Sequence, residues 1–404
     1  MTSPIPGYPI CHLAKYYPPT RGGIETHVQT LARAQAAMGS QVTVLCINAG
    51  PNPHQTKSAT STVIEMDGSV QVIRVGRVSS LANFDICPEL PSQLWRVLKE
   101  LNPIVHLHTP NPTMLVALLP FVWQASLVIT HHSDIIRQRV LKYFFRPFEY
   151  WVYQQAAIIC TDSPNYIQGS KFLKACKQNL STLPLGLDYS KHITQTSQSI
   201  AFANLLQKQY GQPLWLSVGR LVYYKALHIA IAALTKVPGT LIIVGVGPLE
   251  QELKQQAQNL KVNHRIVWMG NLSNEELKGV YQAATALWFP SNQRSEGFGL
   301  VQLEAMINGC PVINADIPCS GVPWVSRHEQ EGITVPINNP DALANAAMRI
   351  LNEPGLRDRL SAASYQRAYH EFDHITMARR SFELYKRAFN LSPITTYVPR
   401  ESQL

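Results

Sequence analysis

Short apolar runs rich in β-branched residues alternate with helix-spaced segments along nearly the whole chain, and no other feature restricts the fold as tightly. The runs include Val42-Thr43-Val44-Leu45-Cys46-Ile47, Val70-Gln71-Val72-Ile73, Ile104-Val105-His106-Leu107, Leu127-Val128-Ile129 and Ala157-Ile158-Ile159-Cys160. Between them lie stretches such as 25–38, where Val28, Leu31, Gln35 and Met38 share one helical face. Strands that alternate with helices predict parallel α/β sheets. The pattern lapses over a Ser/Thr/Gln-rich passage at 189–212 and restarts at Leu214-Trp215-Leu216-Ser217-Val218. It continues through Leu241-Ile242-Ile243-Val244, Ile266-Val267-Trp268, Ala286-Leu287-Trp288-Phe289, Pro311-Val312-Ile313 and Ile333-Thr334-Val335. The last helical spacings, at about 341–351, 356–370 and 374–389, have no strand after them. The expectation is two doubly wound parallel-sheet domains, 1–190 and 191–373, with a final helix in about 374–404 packing back on the first. In such sheets ligands bind at the carboxyl ends of strands, so the two domains are expected to face each other across a cleft.

Composition narrows the classes. At roughly 150 residues per domain, 404 residues fit two large domains. Apolar residues at 46% and charged ones at 15% exclude a disordered or fibrous chain. The 35 Lys and Arg against 26 Asp and Glu leave nine surplus positive charges, which point to an anionic partner: nucleic acid, a phosphorylated small molecule or an acidic membrane surface. The seven cysteines form no C-x-x-C pair and are odd in number, which favours buried free thiols over zinc or disulfides. The start, Met1-Thr2-Ser3-Pro4, lacks signal-peptide features, and a cytoplasmic location is expected. Residues 109–130 carry no Asp, Glu, Lys, Arg or His. Pro110, Pro112 and Pro120, with Asn111 and Gln124, nevertheless divide this stretch into a turn, a short helix near 113–119 and a strand near 126–130 rather than a membrane span.

Four motifs sit where strands should give way to helices. After the first strand, about Ile10–Ala14, comes Arg21-Gly22-Gly23-Ile24-Glu25, in which paired glycines and a helix start suit either a phosphate or a mere tight turn. Leu216-Ser217-Val218-Gly219-Arg220-Leu221 with Lys225 places two cations past a strand, enough to hold a diphosphate or to form a solvated basic loop. Val244-Gly245-Val246-Gly247-Pro248-Leu249-Glu250 begins like a dinucleotide fingerprint, but Glu250 stands at the third glycine position, which argues against NAD. Ser295-Glu296-Gly297-Phe298-Gly299-Leu300-Val301-Gln302-Leu303-Glu304 spaces two glutamates eight residues apart, the first in a loop and the second about two turns into a helix. Such a pair can grip separate hydroxyl groups of one long ligand while the helix start faces its phosphates.

Taken together and in this order, Gly22-Gly23-Ile24-Glu25, Thr182-Leu183-Pro184-Leu185-Gly186-Leu187-Asp188, Gly219-Arg220 with Lys225, and Glu296 with Glu304 resemble the retaining glycosyltransferases of family 4 over residues 16–340. Leu107-His108-Thr109-Pro110-Asn111-Pro112 and His132-Ser133-Asp134-Ile135 with Arg137-Gln138 look like the bacterial polysaccharide branch, which includes many mannosyltransferases. The resemblance implies the GT-B fold, two Rossmann-like domains of which the first binds acceptor and the second a nucleotide-sugar. It implies that Arg220 and Lys225 bind the diphosphate, Glu304 the ribose hydroxyls and Glu296 the transferred sugar. Gly22, Gly23, Gly219, Gly297, Phe298, Gly299 and Leu300 would line the donor site, with amides of Gly23, Phe298 and Gly299 cradling phosphate. His132 matches the family's active-site histidine, and His131, Asp134 and Arg137 fall on the acceptor side. Ala226 stands where the family usually has Gly.

No Asp-x-Asp motif is present, so neither metal nor cofactor is expected, and fixed cations take over stabilisation of the leaving diphosphate. The family resemblance also implies retention of anomeric configuration, with the departing phosphate taking the acceptor proton. From 143 to 153 seven of eleven residues are aromatic, and Arg137, Arg139, Lys142 and Arg146 accompany them. Such a helix suits a membrane interface, and equally an ordinary buried helix with exposed arginines. The expected reaction is transfer of a hexose, mannose from GDP-mannose, to a polyprenyl-diphosphate-linked oligosaccharide at the inner membrane face, with no nucleic acid involved. The alternatives are a UDP-sugar transferase with a small soluble acceptor, a sugar-nucleotide epimerase on the same fold, or a non-enzymatic basic protein bound peripherally to membrane.

Overall fold

The computed structural model describes residues 7–20, 22–50, 59–81, 84–134, 139–176, 179–190 and 195–389, and within the helix Arg139–Gln155 the side chains from 145 onward. The strands are β1 Gly7–Leu13, β2 Ser40–Ile47, β3 Val63–Asp67, β4 Val70–Val75, β5 Ser79–Leu81, β6 Phe84–Ile86, β7 Ile104–Thr109 and β8 Ser126–His131. They continue with β9 Ile158–Thr161, β10 Asn179–Thr182, β11 Leu214–Val218, β12 Thr240–Val244, β13 Ile266–Gly270, β14 Ala286–Phe289, β15 Val312–Asp316 and β16 Gly332–Pro336. Every apolar run singled out in the sequence is a strand, and most are buried on both faces between helices, whereas the edge strand β13 buries only Ile266 fully.

The chain forms two compact units. One comprises residues 1–162, 170–186 and 374–404, the other 163–169 and 187–373, so the helix Pro164–Gly169 goes with the second unit although it precedes residue 190. Arg294 holds that helix there: its guanidinium donates to the Tyr166 and Gly169 carbonyls at 2.8 and 2.9 Å and to Cys319 O at 3.0 Å. In the first unit the sheet runs β10-β9-β8-β7-β1-β2-β4-β3, and every strand is parallel to its neighbours except β3. The second unit has the all-parallel order β13-β12-β11-β14-β15-β16. Strand order reverses between β1 and β7 in one sheet and between β11 and β14 in the other, the places where a doubly wound sheet leaves room for a ligand.

The helix Gly23–Ala37 covers the first sheet and buries Val28, Leu31 and the polar Gln35. Beside it packs the helix His374–Phe389, whose Met377, Ala378, Phe382, Leu384 and Tyr385 join Ile10, Leu31, Ile104 and Val128 in one core. The second unit centres on stacked Trp215 and Trp288, with ring centroids 5.0 Å apart. The charge-free stretch from 109 becomes the helix Pro112–Leu118, a single turn at Leu119–Phe121 and β8. Among the described residues no helix is long and apolar enough to cross a membrane. Six cysteines are buried free thiols, and Cys319 departs from that expectation by lying exposed in the turn after β15.

Candidate active site

In the second unit the turns after β11 and β14 form a recess lined by Gly219, Arg220, Lys225, Phe289, Pro290 and Ser291. Lys225 Nζ lies 2.6 Å from Glu296 Oε2 and 4.8 Å from the centre of the Phe289 ring. Ser291 Oγ donates to the same Glu296 oxygen at 3.3 Å. Two residues predicted from separate motifs thus form one ion pair at the carboxyl ends of adjacent strands. Arg220 is exposed, and its guanidinium donates to the Tyr224 hydroxyl at 3.2 Å, which leaves most of its donor fork facing solvent. The glycines of the 244–248 turn serve this loop: a Cβ on Gly245 would stand 2.1 Å from Gly219 O, and one on Gly247 2.5 Å from Leu221 O. Close backbone approach of neighbouring turns therefore accounts for what resembles a dinucleotide fingerprint.

Glu304 lies in the helix Leu300–Ile307, which starts at Gly299 in the left-handed region with φ of 79°. A side chain there would press on the Phe289 ring at 2.8 Å, so the tight entry to the helix requires glycine. Tyr281 donates its hydroxyl to Glu304 Oε2 at 2.8 Å. Burial pushes the Glu304 carboxyl above the usual carboxylate range, against the opposing pull of Tyr281 and Lys225. Phe298 is buried beneath Trp324 and Phe372, and the Gly297 carbonyl accepts from Gly321 N at 2.8 Å.

In the first unit the helix start at Gly22-Gly23 already faces a carboxylate. A Cβ on Gly22 would meet Glu25 Oε2 at 2.1 Å, so Glu25 folds back over the first turn, where an incoming anion would meet it. His131 ends β8 and His132 follows it directly, and the two side chains meet different partners. His131 takes Tyr153 OH at 2.7 Å and Asp134 Oδ1 at 3.3 Å. His132 has both nitrogens engaged, Nδ1 by Asp162 at 3.0 Å and Nε2 by His108 Nδ1 at 3.2 Å. Its imidazole is 5% exposed and reaches a ligand through a nitrogen only when the His108 contact opens.

That contact belongs to a buried row. His108 Nε2 meets His12 Nδ1 at 3.0 Å, and His12 Nε2 meets Gln35 Oε1 at 2.7 Å. The Gln35 amide is oriented by Ser381, whose hydroxyl donates to Ala378 O at 2.7 Å and accepts from Gln35 Nε2 at 2.8 Å. The row from Gln35 to Asp162 has an acceptor at each end. Its four hydrogen bonds need one proton more than three neutral imidazoles supply. Burial lowers His12 to about 4 and holds His108 well below the usual imidazole range.

Both motif sets have counterparts in known proteins. The family described as Glycosyltransferase Family 4 matches residues 21–189, and Glycosyl transferases group 1 matches residues 202–367. A D-rhamnosyltransferase of Pseudomonas aeruginosa is 31% identical over 350 residues, covering 85% of this chain and 87% of its own. The chain belongs to glycosyltransferase family 4. A second relative of this glycosyltransferase, the O-antigen chain mannosyltransferase C of Escherichia coli, is 28% identical and covers 91% of this chain and 95% of its own. The sucrose-phosphate synthase of Thermosynechococcus elongatus superposes with a TM-score of 0.77 over 95% of this chain and all of its own, at 22% identity. The fold of the glycosyltransferase is GT-B.

Several residues that position the site escape a reading of motifs. Asp162, His12 and Tyr281 each hold a motif residue from a distant point in the chain, Gln35 in turn holds His12, and Ser291 holds Glu296 from five residues away. A signal existed for part of this: His106 and His108 sit two apart on β7, and Gln35 interrupts an otherwise apolar helix face. The helix Arg139–Gln155 also differs from a simple basic and aromatic surface. Arg146 stacks on Phe172 at 3.8 Å and donates to Glu149 at 3.2 Å, so this cation is internally paired rather than presented to a membrane. Burial pushes the Glu149 carboxyl up. Arg137 lies outside the described residues.

Proposed function

We propose that this glycosyltransferase moves a hexose, mannose from GDP-mannose, to a polyprenyl-diphosphate-linked oligosaccharide, with retention of configuration and without a catalytic metal. The observation that carries the reading is the Lys225–Glu296 pair at 2.6 Å beside the open fork of Arg220, at the point where the strand order of the second sheet reverses. A diphosphate bound there meets Arg220 and Lys225, which stabilise the charge that grows as the sugar-phosphate bond breaks. Glu296, relieved of part of its pairing, accepts hydroxyl hydrogens from the sugar, and Glu304 accepts from the ribose. His132, braced by Asp162, flanks the reacting sugar, and His131 and Asp134 line the acceptor side.

The relatives' names support a hexose and a cell-surface polysaccharide, since one is a D-rhamnosyltransferase and another an O-antigen chain mannosyltransferase. A lipid-linked acceptor is supported by individual exposed aromatic side chains on the first unit: Trp123 is 72% exposed, Phe148 50% and Tyr150 38%. Such side chains suit a membrane interface, which supports a lipid-linked acceptor reached at the inner face of the membrane.

The test is thermal stabilisation by GDP-mannose against UDP-glucose, UDP-galactose and UDP-N-acetylglucosamine, since a donor at about 100 times its Kd adds about 2.7 kcal/mol. A response to a UDP-sugar alone would move the reading to the UDP-dependent alternative. Arg220→Ala, Lys225→Ala and Glu296→Ala are each expected to lower kcat/KM by about 100-fold or more with the fold intact. Unchanged turnover in all three would remove the assignment.

A further inference from the structure

His27 is the one anomaly of the buried histidine row. It is 1% exposed, lies on the helix Gly23–Ala37, and neither ring nitrogen has a hydrogen-bond partner among the described residues. A buried imidazole left this way loses the hydration of a donor and an acceptor at once. Its ring stands edge-on to those of His108 and His132, with centroids 5.6 and 5.1 Å away. One nitrogen from each of the three rings falls within 4.8 Å of the others. His108 Nδ1 and His132 Nε2 are 3.2 Å apart. That separation matches the edge of a tetrahedral zinc site, about 3.3 Å for Zn–N bonds of about 2.0–2.1 Å.

We propose that His27, His108 and His132 form a binding site for a zinc-type divalent transition-metal ion. The hydrogen bonds around the three rings agree with this. A cation between His108 Nδ1 and His132 Nε2 takes the place of the proton they share. His132 then donates Nδ1–H to Asp162, His108 donates Nε2–H to His12, and His12 donates Nε2–H to Gln35. Every acceptor in the row is met by neutral rings, and Asp162 takes the carboxylate–histidine–metal position that orients such ligands. The His27 nitrogen has at most about 1.5 Å to travel to complete the set. Three imidazoles without a carboxylate ligand select Zn²⁺, Co²⁺, Ni²⁺ or Cu²⁺ over Mg²⁺ or Ca²⁺. A second triple, His12, His106 and His108, is close enough in space but is already committed: His106 is bonded to Tyr385 and Thr130, both at 2.7 Å, and a metal would break those bonds.

Titration of the full chain with Co²⁺ tests the site directly. One equivalent should bind with the intense visible absorption of a four-coordinate ion, Zn²⁺ should displace it, and Mg²⁺ should not. His27→Gln, checked for an unchanged melting temperature, should weaken binding by at least about tenfold, and Asp162→Asn by about 10–100-fold. His264→Gln, on the surface, should leave it unchanged. Equal affinity in wild type and His27→Gln, or the pale spectrum of a six-coordinate ion, overturns the proposal. Loading with Zn²⁺ should also slow glycosyl transfer, because it fixes His132, and a chelator should restore it. That last readout rests on the catalytic reading of His132, whereas the cobalt spectrum does not, so failure of either one can be told apart.

Discussion

Glu304 shows how much a single side chain can give up for its task. Its carboxyl stands above the usual carboxylate range because burial disfavours the ionised form, so ionisation is harder in the folded chain than in the unfolded one. Its contribution to stability is therefore full below the ordinary value of 4.5 and declines as pH rises through the raised one. Glu304→Gln should melt higher than wild type at pH 7, lose that advantage as the pH falls below about 4.5, and bind the donor more weakly. Melting curves between pH 4 and pH 8, with and without nucleotide-sugar, check all three. The spacing of Glu296 and Glu304 was legible in the sequence because eight residues place one in a loop and the other inside a helix. Partners from elsewhere in the fold were not: Tyr281 reaches Glu304 from another helix and Asp162 reaches His132 from just past the end of β9, contacts made by the sheet order rather than by local spacing.

Among elements, strands buried on both faces were the easiest to read, since continuous Val, Ile and Leu leave little alternative. The edge strand β3 was not legible, because Val63, Ile64 and Met66 are 41%, 51% and 63% exposed and show no one-sided alternation. The turn from β11 into the helix Leu227–Leu234 illustrates a subtler limit. Ala226, where the family resemblance implies glycine, takes a left-handed conformation with φ of 49°, buried at 1% exposure. The loop keeps the geometry that glycine would give, at a backbone cost of about 1–2 kcal/mol. Ala226→Gly relieves that cost but loses about 0.8 kcal/mol of buried methyl and about 0.5–1 kcal/mol of chain entropy, so it should fall within about 1 kcal/mol of wild type. Ala226→Val adds a branch at a position hostile to it and should destabilise by more than about 2 kcal/mol, with reduced donor affinity. Urea unfolding of the pair measures both.

At the scale of the molecule, the first unit is finished by a segment far along the chain. The helix His374–Phe389 supplies Met377, Phe382 and Tyr385 to its core, and Gln35 donates to Ser381 and to Tyr385 OH at 2.8 and 3.1 Å. A chain ending at residue 373 should expose that apolar face, so the first unit should unfold or aggregate while the second keeps a cooperative transition. Calorimetry of full-length and truncated chains separates these outcomes, and an unchanged two-unit melt would contradict the packing described. The return of this helix also sets an order of events in synthesis. The second unit can close on the ribosome as soon as residue 373 has emerged, whereas the first, although translated earlier, waits with its sheet half covered until the helix arrives. Newly made chains therefore carry an open apolar face for the time needed to translate nearly two hundred further residues, from 187 to 373, and a translational pause there prolongs the interval in which a chaperone is needed.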